Sequence, residues 1–76
     1  MIDTTKIRIG SIFINRKKHE CIIVNMMRHP DNEYYDTFFY VCIEEEDEDL
    51  SYLNNLQLNL YDIEADKLKK LKILRY

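Results

Sequence analysis

The chain has 76 residues, 33% of them charged, a formal net charge of −3, and only one glycine and one proline. That length supports one domain, residues 1–76, with a thin core, and 46% hydrophobic content is too high for general disorder. No apolar run approaches the roughly 18 residues of a membrane helix. The opening Met1-Ile2-Asp3-Thr4-Thr5-Lys6 lacks the apolar centre of a signal peptide, so the expected compartment is cytoplasmic.

The first 44 residues read as three strands. Lys6-Ile7-Arg8-Ile9 and Ile12-Phe13-Ile14 flank Gly10-Ser11, with Ile7, Ile9 and Phe13 on one parity and Ile12 and Ile14 on the other. The apolar face therefore switches near Gly10, where a glycine in a strand pattern marks a bulge or bend. Asn15-Arg16-Lys17-Lys18-His19 is a polar pause short enough for an antiparallel hairpin. The second strand follows over 20–27, centred on the β-branched Ile22-Ile23-Val24. Pro30-Asp31-Asn32 is turn chemistry. The third strand is aromatic, with Phe39, Val41 and Ile43 on one face and Phe38, Tyr40 and Cys42 on the other.

Glu44-Glu45-Glu46-Asp47-Glu48-Asp49 repel one another and belong to a solvated stretch. Leu50 to Leu53 can form a short strand. Leu56, Leu58 and Leu60 alternate with polar residues, the period of a half-buried strand. Asp62 is a candidate helix N-cap, followed by acids (Glu64, Asp66) and then lysines (Lys67, Lys69, Lys70), which matches the helix dipole. Ala65, Leu68 and Leu71 share one helical face, and Asp66 and Lys70 are spaced i, i+4. A short helix followed by a closing strand is the preferred reading of the end. The expected fold is mainly β with one short C-terminal helix, a small curled antiparallel sheet. By element order, the nearest architecture is an SH3-like barrel.

The charge is segregated along the chain. Residues 1–30 carry net +4, residues 31–66 carry twelve acids and no base, and residues 67–76 carry +5. The acidic run Glu44, Glu45, Glu46, Asp47, Glu48 and Asp49 is one candidate interaction site, because dense carboxylates imitate nucleic-acid phosphates and can occupy a basic groove on a partner protein. Tyr34, Tyr35 and Tyr52 would add aromatic anchors. The expected function on this reading is non-enzymatic: an inhibitor or modulator of a host or partner protein. The bias toward residues with AT-rich codons fits a phage or other mobile element. The alternative is a small nucleic-acid-binding β-barrel, in which Arg16, Lys17 and Lys18 of the hairpin merge with Lys69 and Lys70. Against both stands the plain expectation that charged residues solvate edges and pair with one another.

No metal and no cofactor is expected, since Cys21, Cys42, His19 and His29 lack the close paired spacing of zinc ligands. Neither cysteine sits at a helix start or in a glycine-rich turn, so a thiol nucleophile is not expected either. A disulfide would require Cys21 and Cys42 to face each other across a hairpin, a register the sequence does not fix. Two reduced, buried thiols are the default.

Overall fold

The computed structural model describes residues 1–43 and 59–76. Five antiparallel strands form one sheet: β1 (Ile12–Ile14), β2 (Glu20–Met27), β3 (Thr37–Ile43), β4 (Tyr61–Glu64) and β5 (Lys72–Arg75). Their order is β4-β3-β2-β1-β5. A 3-10 turn, η1 (Thr4–Lys6), precedes the sheet, and a one-turn helix, α1 (Ala65–Leu68), joins β4 to β5. The fold is thus mainly β with one short helix. The element order is consistent with an SH3-like barrel, although β4 and β5, the sheet's edges, do not pair with each other among the described residues. No described helix is long and apolar enough to cross a membrane.

Residues 6–9 do not form the expected strand. Asp3 caps η1, its carboxylate accepting from the Thr5 backbone N–H at 3.1 Å. The chain then turns at Gly10, whose φ of +97° is a conformation that L side chains rarely adopt. Ser11 closes this turn. Its N–H donates to the Arg8 carbonyl, and its buried hydroxyl accepts from the Arg8 N–H at 2.9 Å. Ile7 consequently stays in the core with Phe13, while Ile9, expected to share their face, is 63% exposed.

The core gathers Phe13, Ile23, Phe38 and Leu68, all fully buried, with Ile2, Ile7 and Cys21 around them. Each strand contributes on alternate residues, with two register shifts. On β2, Cys21 and Ile23 point inward. The register then slips between Ile23 and Asn25, and Met26 becomes the inward residue, packed with the core and paired with Phe38. A bulge of this kind inserts one residue and so exchanges the faces of a strand. The second shift leaves Leu74 of β5 outside the pairing between Ile12–Arg75 and Phe13–Ile73. On β3 the inner face is Phe38, Tyr40 and Cys42.

The helix begins later than the sequence suggests. Asp62 pairs with Phe39 inside β4 rather than capping α1, and the cap position falls to Glu64, whose side chain makes no capping bond. Part of the expected helical face is present: Leu68 is fully buried and Ala65 packs against the core, while Leu71, beyond the end of α1, packs there from the turn. The closing strand β5 is held by the chain's start. The Tyr76 carbonyl accepts from Arg8 Nε at 2.9 Å and from the Ser11 hydroxyl at 3.1 Å, and the Tyr76 hydroxyl accepts from the Asp3 N–H.

Candidate functional site

The β1–β2 hairpin tip is built by one side chain. Asn15 Oδ1 accepts from the backbone N–H groups of Lys17 and His19 at 3.0 and 2.9 Å, while the Asn15 N–H donates to the His19 carbonyl. Such an Asx-type turn fixes a tight loop without needing glycine. The left-handed position of the loop falls on Lys18, at φ 67°. Arg16 and Lys17 are thereby held on an ordered turn.

Beside this tip lies a cleft of about 510 Å³. Arg16, Lys17 and His19 line one side, and Lys67, Lys70 and Leu71 line another. Tyr40, Cys42, Tyr61 and Ile63, from adjacent strands, complete it. Antiparallel pairing explains the meeting: β5 starts where β1 ends, with Lys72 opposite Ile14, so α1 and its exit turn arrive at the hairpin end of the sheet. No acidic side chain among the described residues lines the cleft. Its aromatic wall is ordered, since Tyr40 and Tyr61 pair across strands with ring centroids 5.5 Å apart and planes 25° from parallel. Phe13 meets the Tyr40 ring edge-on at 5.1 Å. Burial, and then the nearby thiols, Tyr61 and Asp62, push the Tyr40 hydroxyl above its ordinary pKa, so it stays a neutral donor at physiological pH.

Of the basic residues the sequence singles out, the structure brings Arg16, Lys17 and Lys70 together here. Lys18 and Lys69 do not line the cleft. Lys69 instead lies 3.6 Å from Asp66, an exposed i, i+3 pair. His19 belongs to the basic hairpin tip and Lys67 to the C-terminal lysine block read from the sequence, whereas Tyr61 is not expected in the cleft and Tyr40 reads as a candidate core residue. Only the cross-strand register, which places Tyr61 opposite Tyr40, would have found the aromatic pair.

The acidic candidates Glu44, Glu45, Glu46, Asp47, Glu48 and Asp49, with Tyr52, lie outside the described residues, as do the strand expected over 50–53 and residues 56–58 of the alternating segment. Asn59 and Leu60, at its end, are not in a strand, and Leu60 is exposed. Tyr34 and Tyr35 are 58% and 46% exposed on the β2–β3 loop. Ile43, the last described residue before the acidic run, sits at the far end of β3 from them, about 20 Å along a strand of this length.

A second, smaller cleft of about 260 Å³ lies at the opposite end of the sheet, lined by Asp36, Thr37, Glu64, Ala65 and Asp66. No group of three or more His, Cys, Asp or Glu side chains is arranged to hold a metal ion among the described residues. The chain matches no protein-family model, and comparison with the curated proteins and with the solved structures found no match.

Proposed function

We propose that the chain is a non-enzymatic binding protein whose basic cleft takes a single-stranded nucleic acid. One observation carries this reading: Arg16, Lys17, Lys67 and Lys70 converge on a cleft walled by the Tyr40–Tyr61 pair. Cations track a phosphate backbone while aromatic rings stack bases, and single strands expose both features. The net charge of −3 is no obstacle, because the negative residues do not line this cleft among the described residues.

Fluorescence anisotropy of labelled single-stranded DNA and RNA tests the proposal. Binding is expected at low salt, with log K falling against log salt at a slope of about −3 for four phosphate contacts. Between 50 and 200 mM salt that slope costs roughly 50-fold in affinity. Absence of binding even at low salt would overturn the reading. A second reading, capture of a partner protein by residues 44–49 with Tyr34, Tyr35 and Tyr52, is favoured by the exposure of the Tyr34 and Tyr35 rings. Replacing the six acids of 44–49 by Asn and Gln should abolish such capture while leaving the fold intact. Under the nucleic-acid reading, the same replacement leaves oligonucleotide binding intact or tightens it.

A further inference from the structure

Cys21 and Cys42 are directly opposed in the β2–β3 register. Opposed residues in an antiparallel pair have Cα atoms about 4.5–5.5 Å apart, inside the range a disulfide spans. Their sulfurs lie 3.0 Å apart, and both thiols are free. Closing to a bond length of about 2.05 Å therefore requires only a small side-chain movement. The two thiols also differ in access. Cys21 is fully buried, whereas Cys42 is half-buried and forms part of the basic cleft. Asn15 Nδ2 lies 3.7 Å from the Cys42 sulfur, and Arg16, Lys17 and His19 stand around the same opening.

We propose that Cys21 and Cys42 form a covalent redox site that takes a small anionic disulfide, of the glutathione disulfide class, as its oxidant. The Cys42 thiolate attacks one sulfur of the oxidant, forms a mixed disulfide and expels one thiolate. Cys21 then attacks the Cys42 sulfur and expels the second small thiolate, which takes up the Cys21 proton as it leaves. The balance is one protein dithiol and one small disulfide giving one protein disulfide and two small thiols. The order of events follows from access: only Cys42 is open to the cleft, and the cations there draw an anionic oxidant. Burial first, and then the hydrogen bond and charge of Cys42, hold the Cys21 thiol well above its ordinary pKa in the reduced state. The site stands independently of what the cleft binds.

The test equilibrates the full chain in buffers of rising oxidised-to-reduced glutathione ratio, followed by acid quenching, thiol counting and intact mass. Free thiols are expected to fall from two to none per chain, with the loss of two hydrogens, no adduct and no change in oligomeric state. Cys21→Ala should trap a glutathione adduct on Cys42, and Cys42→Ser should leave Cys21 unmodified in the folded protein. Circular dichroism of each variant confirms that the fold is kept. A wild-type chain that retains both thiols in fully oxidised glutathione would overturn the proposal. So would one that accumulates an unresolved adduct or dimerises through disulfides.

Discussion

The two ends of the sheet are opposite in charge and in construction. At the hairpin end, Arg16, Lys17, Lys67 and Lys70 surround a cleft, and the turn that carries Arg16 and Lys17 is organised by Asn15. At the other end, the β2–β3 loop carries Asp31, Glu33 and Asp36 and meets Glu64 and Asp66. There the organiser is Asp36, which is itself charged. Its carboxylate accepts from the His29 N–H at 2.9 Å and the Thr37 hydroxyl at 2.9 Å, and from the Asn32 amide at 2.6 Å. The helix α1 and its exit turn link the two ends: the Ala65 N–H donates to the Asp36 carbonyl, while Lys67 of the helix and Lys70 of the turn reach the cleft. A neutral amide thus shapes the cationic end and a carboxylate shapes the anionic end. The anionic end is not free of cations, since the Arg28 guanidinium donates to the Asn32 carbonyl at 2.9 Å within the same loop.

The largest expected effect erases both ends together. Phe13 is fully buried and meets Tyr40 edge-on, so Phe13→Ala should cost about 3–5 kcal/mol. For a domain of this size that approaches the whole stability, and the far-UV dichroism of the variant should be that of a largely unfolded chain. Asn15→Ala breaks only the basic end. Loss of two turn hydrogen bonds should cost about 1–2 kcal/mol. Oligonucleotide affinity should fall severalfold although no charge has changed, which anisotropy on the folded variant checks.

Acid separates the ends in the other direction. The His29 backbone N–H, followed by the Asn32 and Thr37 side chains, holds the Asp36 carboxyl below its ordinary pKa. Its contribution to stability is therefore complete above the unfolded value of about 3.9 and is lost as pH falls through the lowered folded value. Amide exchange should show the 28–36 loop opening over that range, and Asp36→Asn should remove the dependence. The smallest effect is at Lys18. Glycine relieves the left-handed strain but loosens the unfolded chain, so Lys18→Gly should stabilise by roughly 0.5–1 kcal/mol. Because Lys18 does not line the cleft, affinity should barely change.

The strands β1, β2 and β3, the hairpin tip and the buried face of α1 were legible because each rests on local pattern: β-branched runs, a polar pause, and Ala65 and Leu68 at helical spacing. The misplacements have local causes invisible in composition. Ile9 alternates correctly with Ile7, yet the Ser11 hydroxyl bridge and the φ of Gly10 turn it outward. Asp62 is a good capping residue in isolation, but pairing with Phe39 draws it into β4. The site itself depends on register. One residue of slip would separate Tyr40 from Tyr61 and Cys21 from Cys42, and no local motif encodes that pairing. The two basic blocks were visible in the sequence. Their convergence depended on β1 and β5 lying side by side, which the structure shows.

On the proposed function, position in the cleft, and not basic charge as such, governs binding. The most direct measurement compares the salt slopes of two charge-matched double variants, Lys67→Gln/Lys70→Gln and Lys18→Gln/Lys69→Gln. Removing the two cleft lysines should flatten the slope by about 1.4 and weaken binding at low salt, while removing the two outside it should leave slope and affinity near wild type. Equal losses in the two variants would contradict the account.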